Sequence, residues 1–246
     1  DSVTSIVARA FRGCTGLTSV TIGNGVKKMD SNAFIGCTAL TSVNISNGVK
    51  KIAHEEFLTC TGLTSINVDE RNQNYKSIDG VLFSKDGKTL HTYPAGKMAI
   101  NYIIPNSVTK IVTSAFAFCT GLSSVNIPDS VTDIDTGAFQ GCTGLTSIDI
   151  PNSVTEIGEW AFLGCTGLTS INVNKGNSEY KSIDGVLFSK DGITLHTYPI
   201  GRMAINYIIS DSVIEINQGA FEVCKGLTSV IIGNSVKEIG YEAFWG

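Results

Sequence analysis

Residues 122–144 read LSSVNIPDSVTDIDTGAFQGCTG, and most of the chain is built from copies of this stretch. It returns with small changes at 17–39, 40–62 and 145–167, and partial copies open and close the chain. The cysteines mark the period. They stand at 14, 37, 60, 119, 142, 165 and 224, so the gaps are 23, 23, 59, 23, 23 and 59. Those gaps repeat with a super-period of 105 residues, and YKSIDGVLFSKDG at 75–87 recurs unchanged at 180–192. Periods of 20 to 50 residues mean a stacked array, in which each unit buries its apolar face against its neighbours. The chain of 246 residues therefore reads as one solenoid over 1–246.

One unit reads as one coil. In SSVNI, Val125 and Ile127 alternate inward while Ser124 and Asn126 face out, the period of a short strand. The turn PDS, or GNG in other copies, suits tight backbone geometry. Val131 and Ile134 follow as inward anchors. Ala138, Phe139 and Cys142 are spaced for one turn of α or 3₁₀ helix, and Gly144 lets the chain swing into the next strand. Strand starts at Leu17, Leu40, Leu63, Ala99, Leu122, Leu145, Leu168, Ala204 and Leu227 predict nine coils. At ~4.8 Å per strand they make a sheet roughly 40 Å long. The expected fold is an α/β repeat solenoid, with one short parallel strand per coil and short helices or turns on the opposite side. A wider helical side would bend the stack into an arc.

Two units are longer, 63–121 and 168–226, each carrying a 36-residue segment (63–98 and 168–203) before the 23-residue pattern resumes. In each, an LTSINV strand is followed by a polar loop, DERNQN or NKGNSE. YKSIDGVLFSKDGKTLHTYP then reads as strand, turn, strand, with Asp79-Gly80 and Asp86-Gly87 as turn pairs. The expectation is an antiparallel β-hairpin on the side away from the main sheet. AINYIIP at 99–105 supplies the next sheet strand.

Composition narrows the function. The net charge is −4 and no run of Lys or Arg is visible, which argues against nucleic acid. No apolar run approaches the ~20 residues of a membrane span. The chain opens inside a repeat, at DSVTSI, and ends inside another, at YEAFWG, as expected of a piece truncated at both ends of something longer. The cysteines form no CxxC pair, and one per coil fits a buried ladder of reduced thiols better than a metal site or disulfides. His91 and His196 are equivalents about 20 Å apart and cannot share a metal. His91 reads as a surface or half-buried strand position, and His54 as the start of a short helical turn. An enzyme would need Tyr75, Asp79, Asp86, His91 and Tyr93 of one long unit to converge, yet both Asp residues are explained as turn formers. The acidic pair of DERNQN is missing from the second copy, which weakens a calcium reading. No nucleophile elbow, zinc helix or phosphate loop is present. Neither enzyme activity nor a cofactor is expected.

Repeated VTxIxxxAFxGCTGLTSVxIP units, interrupted by NYKSIDGVLFSKDGKTLHTYP, resemble the BspA-like leucine-rich repeat proteins over essentially the whole chain. The resemblance implies a leucine-rich-repeat arc, a secreted or cell-surface location and, in some members, adhesion to host matrix proteins or other cells. The leading expectation is thus a non-catalytic module that binds a protein or glycan of a host or neighbouring cell. The alternative is a structural spacer in a larger surface protein, and end-to-end self-association through exposed core is a further expectation. On the sheet face the candidate contacts are Asn44, Asn67, Asn126, Asp149 and Asn172, in one outward column with Thr21, Ile103, Ile208 and Ile231. The neighbouring column is Ser and Asn, so the face also reads as polar cover that keeps the sheet soluble. Aromatic candidates lie off that face: Tyr75, Tyr93, Tyr180 and Tyr198 in the insertions, and Trp160, which stands where other units have Gly, Asn or Glu.

Overall fold

The computed structural model describes residues 2–246 as a right-through stack of coils made of strands and turns, with no helix among the described residues. No described helix is therefore long and apolar enough to cross a membrane. The nine expected strands of the main sheet face, from Ser19–Ile22 to Ser229–Ile231, pair in four short sheets of three, two, two and two strands. Partners stand 23 residues apart in parallel register, as in Val20↔Val43 and Val43↔Ile66. A second parallel ladder runs along another side. Its members begin at Ser5–Ile6, Lys28–Met29 and Lys51–Ile52 and resume after each insertion, giving ten strands in all. Between the ladders lies the core. In the coil 122–144, Leu122, Val125, Ile127, Val131, Ile134 and Phe139 are all buried, at about 2 kcal/mol each.

The expected short helices are absent, and the backbone shows why. Each AFxGC segment has two residues with positive φ, four apart: Gly137 and Gly141 (62° and 71°), Asn32 and Gly36 (63° and 75°), Ser114 and Phe118 (56° and 61°). Left-handed residues cannot continue a right-handed helix. They turn the amides towards the neighbouring coil instead, so Phe116 N donates to Ala138 O at 2.8 Å and Phe118 N to Gln140 O at 2.7 Å. This side thus forms a third inter-coil ladder. Phe rings stack along it, Phe11–Phe34–Phe57 and Phe116–Phe139–Phe162, with centroids 4.9 to 5.7 Å apart. The expected short helices are thus replaced by turns on this side.

The insertions are also richer than hairpins. Each is a three-stranded antiparallel meander: Tyr75–Ile78, Val81–Ser84 and Thr89–Thr92, repeated at Tyr180–Ile183, Val186–Ser189 and Thr194–Thr197. The third strand joins the second ladder in parallel, Leu90 beside Ile111 and Leu195 beside Ile216. Nor does the meander stay away from the main sheet. Its first turn abuts strand Ser65–Val68, where Ile66 N donates to Gly80 O at 2.8 Å. Gly80 has φ +78°, and a Cβ there would meet the Ser65 Cβ at 3.1 Å. The middle strand crosses the section as a wall buried on both faces. Leu82 packs with the core of residues 6–66, while Val81 and Phe83 pack with the next core, which extends to Ile171. Leu187 and Val186/Phe188 divide the middle core from the last in the same way. The stack is therefore three blocks joined at two walls.

Each meander is launched by one buried Asn. Asn72 Nδ2 donates to Ser46 O and Val49 O at 2.8 and 3.0 Å, and its Oδ1 accepts from Asn74 N and Tyr75 N at 2.8 and 2.9 Å. Asn177 repeats all four bonds with Pro151 O, Val154 O, Glu179 N and Tyr180 N. Four backbone groups around each Asn therefore depend on one side chain. Asn72→Ala or Asn177→Ala is expected to lower unfolding stability by about 2 kcal/mol or more, measured by chemical denaturation. A loss below ~0.5 kcal/mol would remove the Asn from this role.

Candidate functional site

At the first wall the second ladder loses a step, because strand Lys51–Ile52 has no following strand to pair with. Two side chains of the meander take that strand's place. The Ile52 amide donates to the Tyr75 hydroxyl at 2.8 Å, and the Ile52 carbonyl lies 3.2 Å from His91 Nε2. Only a protonated Nε2 can satisfy that carbonyl, so neutral His91 carries its proton there and Nδ1 accepts from the Thr92 hydroxyl at 2.9 Å. The second wall is built alike, with Tyr180 and His196 on Ile157 at 3.0 and 3.1 Å. The two rings of each pair meet edge-on, 5.8 and 5.7 Å apart. Burial first, and then the charge of His54, pushes the His91 pKa down to about 4. His91 is thus buried, not at the surface. His54 does open its turn, exposed and 5.5 Å from the His91 ring.

The Phe stack breaks at the same walls, since Tyr93 and Tyr198 start new stacks against Phe116 and Phe221. Each break encloses a cavity of about 20 Å³, room for one water molecule and no substrate. Glu55, Glu56, His91, Tyr93 and Ser114 line the first. Trp160, His196, Tyr198, Gln218 and Glu222 line the second. Glu56 stands in the slot that Ala occupies in other coils, is 1% exposed, and neither carboxyl oxygen has a hydrogen-bond partner. Burial pushes its pKa up to about 8; the Ala33 amide opposes the rise and the Asp30 carboxylate adds to it.

Trp160 is accounted for here. It bridges the second break, half-buried, with its indole over Gly219, where a Cβ would meet Nε1 at 2.7 Å. The first break has Glu55 and Ser114 at the equivalent positions, joined by a hydrogen bond of 3.2 Å. Large-over-glycine in one copy replaces a polar pair in the other. The indole N–H lies near enough to Glu222 to lower its pKa, although burial raises that pKa more and neither atom makes a well-formed hydrogen bond. Tyr93 and Tyr198 are 2% and 3% exposed, and Tyr75 and Tyr180 are committed to the second ladder. Of the five aromatics expected to contact a partner, Tyr93 and Tyr198 are thus buried within the walls, while Tyr75, Tyr180 and Trp160 stay half-buried there. The cysteines stand one per coil, as expected, and most are buried. They are less apolar than expected, since Cys60, Cys142 and Cys165 each donate to a Phe carbonyl at 3.0 Å.

The sheet face remains as the accessible surface. Asn44, Asn67, Asn126, Asp149 and Asn172 are all exposed there. They are tied along the stack, with Asn67 Nδ2 donating to Asn44 Oδ1 at 3.0 Å and Asn172 Nδ2 to Asp149 Oδ1 at 2.8 Å. Asn126 and Asp149 also line an open groove of about 460 Å³ with Asn106, Asp129 and Asn174. Beside each wall this polar face is interrupted by apolar side chains. Met98, Ile100 and Ile103 are 92%, 64% and 74% exposed, and Met203, Ile205 and Ile208 repeat them at 95%, 61% and 68%. Ile231, in register with Ile208, enlarges the second patch. Ile103 and Ile208 stood in the expected outward column, but the methionines were missed. The signal was KMAINYI against RMAINYI, which keeps Ile at slots where other coils have Ser, Thr or Asn and Met where they have Gly or Ala.

Comparison with known proteins agrees with this architecture. The sequence matches the profile of the BspA type Leucine rich repeat region, in six copies, over residues 1–98, 95–207 and 201–246. A leucine-rich repeat protein from Eubacterium ventriosum has the same fold with a TM-score of 0.66, at 21% identity over 99% of this chain and 80% of that one. A leucine rich cell surface protein from Faecalibacterium prausnitzii aligns with a TM-score of 0.62, at 33% identity over 98% of this chain and 62% of that one. The pneumococcal vaccine antigen PcpA follows with 0.57, at 18% identity over 96% and 71%. A search among curated proteins finds no match.

The carboxyl of Glu56 makes the first wall testable. Its pKa in the folded chain, about 8, exceeds its ordinary 4.5, so the folded chain keeps a proton that the unfolded chain releases between those values. Glu56 therefore costs stability progressively as pH rises from about 4.5 to about 8. Glu56→Gln should be more stable than the parent at pH 8, with the gap narrowing towards pH 5, measured by urea denaturation at both pH values. An equal effect at both would contradict this.

Proposed function

Because the chain belongs to the BspA-type leucine-rich repeat family, we propose that it is a non-catalytic protein-interaction module of a cell-surface protein, docking its partner on the main sheet face. The observation that carries this reading is the pair of apolar patches around Ile103 and Ile208. They are repeated at the super-period, exposed, and set in a face otherwise covered by Ser, Thr and Asn. Exposed aliphatic and Met side chains surrounded by polar groups are the composition of a docking surface. The patches lie roughly 20–25 Å apart, counting about one strand spacing per coil. A partner engaging both gains from the second contact without a second search. Asn126, Asp149 and Asn172 bridge the gap between the patches and serve as its polar rim. A protein partner fits the aliphatic patches better than a glycan, whose rings are usually met by aromatic planes, and among the described residues no aromatic side chain is exposed on this face. Catalysis is disfavoured because the ionisable groups of the walls face cavities too small for a substrate.

The test is binding of the folded chain to a panel of matrix proteins and glycans, measured by surface plasmon resonance with Ile103→Asp/Ile208→Asp as a parallel sample. The expected result is saturable binding to a protein that weakens about tenfold or more in the double variant, with Asn172→Ala changing it less. Binding unchanged by the double variant would move the site off the sheet face. No binding to any member of the panel would favour a structural spacer.

A further inference from the structure

The super-period keeps the core residues but inverts charge on the outer side of the second ladder. Lys28 is replaced by Asp133 after 105 residues and by Glu238 after another 105. Lys51 is likewise replaced by Glu156, and Lys110 by Glu215. Each opens a two-residue strand and points outward, while the next residue (Met29, Ile52, Ile111, Ile134 and so on) points inward. The in-register pairs Lys28↔Lys51, Lys110↔Asp133, Asp133↔Glu156 and Glu215↔Glu238 place these residues in one outward column, made of three segments interrupted at the two walls. It runs from a basic pole at Lys28 and Lys51 to an acidic pole at Glu215 and Glu238. Lys27 and Lys50 are exposed beside the first pole. Read along the chain these were two isolated lysine pairs; stacking brings four ammonium groups together.

Neither pole is internally balanced. Like charges opposite one another on neighbouring strands are destabilising. Among the described residues Lys28 pairs with Asp30 at 2.6 Å, but Lys50, Lys51, Glu215 and Glu238 have no ion pair. Lys237 beside Glu238 is the one basic residue flanking the acidic pair on those strands. In the middle of the column charge is already compensated, with Lys110 2.9 Å from Asp135 and 3.8 Å from Asp133.

A column with opposite ends is complementary to itself when reversed. We propose that this bipolar stripe is a docking surface for a second copy of the chain, laid alongside in the opposite direction about a two-fold axis. Lys28 and Lys51 of one copy then face Glu238 and Glu215 of the other, and Lys110 faces Glu156. Asp133 falls on the axis, with Lys110 beside it in each copy. Two-fold symmetry makes every contact occur twice. A polyanion would engage the basic pole alone and be repelled by the acidic one, so the ordered inversion along the column favours the second copy. This surface is distinct from the apolar sheet face.

Exposed ion pairs are individually weak and screened by salt, so the association is salt-dependent. Sedimentation velocity on the whole chain at about 20 mM and about 500 mM salt, conditions that shorten the screening length several-fold, reads it directly. The parent should dimerise at low salt and be monomeric at high salt. Lys28→Glu/Lys51→Glu and Glu215→Lys/Glu238→Lys should each be monomeric at low salt. An equimolar mixture of the two variants should recover a 1:1 dimer, because reversal on both sides restores complementarity. A parent monomeric at low salt, with or without a bound polyanion, would overturn the proposal. So would a dimer that survives either reversal, or a mixture of variants that stays monomeric.

Discussion

Every coil in a parallel stack must hand its neighbour a full row of backbone donors and acceptors, because a buried peptide group without a partner costs about as much as the hydrogen bond it lacks. Regular 23-residue coils meet this demand by repetition. The long units cannot, since their meanders put antiparallel strands where the next coil should be. What keeps the stack intact is the pairing of Ile52 and Ile157 with the side chains of Tyr75, His91, Tyr180 and His196. With that substitution in place the middle strand of each meander can stand as a wall, its residues shared between two cores. The super-period of 105 residues is the distance between two such repairs.

The repairs also decide what the surface has left to offer. Tyrosine, histidine, tryptophan and buried carboxyl groups are the residues from which sites are usually made, and here nearly all of them are spent at the walls. Glu56 replaces Ala beside a break in the Phe stack, and Trp160 spans the other break over Gly219. The surface that remains is divided by side. The main sheet offers Asn and Ser with two aliphatic patches, and the second ladder offers charge arranged by position along the stack. Both are properties of the array, visible in no single coil.

The sequence displayed the array through its cysteines and its inward Val, Ile and Phe, because those slots recur at fixed spacing whatever the backbone does between them. It misled at AFQGC, where the spacing of Ala138, Phe139 and Cys142 suits a helical turn. The left-handed positions four residues apart include Gly137 and Gly141, but also Ser114, Phe118 and Trp160, which carry no such signature. The third strand of each meander was hidden in KTLHT and ITLHT, short runs that look like the tail of a hairpin. Asn72 and Asn177 were legible in principle, being the one residue shared by two loops that otherwise differ. The placement of the aromatic candidates at the walls was hidden for a different reason. A variable slot beside a fixed Phe reads as exposed until the break in the neighbouring stack is known, and that break is a three-dimensional fact.

The most direct measurement of the account is amide hydrogen exchange at Ile52 and Ile157, followed by NMR in the parent and in Tyr75→Phe. If a phenol stands in for a strand, both amides are protected in the parent, and loss of one hydroxyl releases Ile52 alone while Ile157, held by Tyr180, keeps its protection. An Ile52 amide that exchanges equally slowly in Tyr75→Phe would contradict the account, because the ladder would then be closed by something other than the side chain.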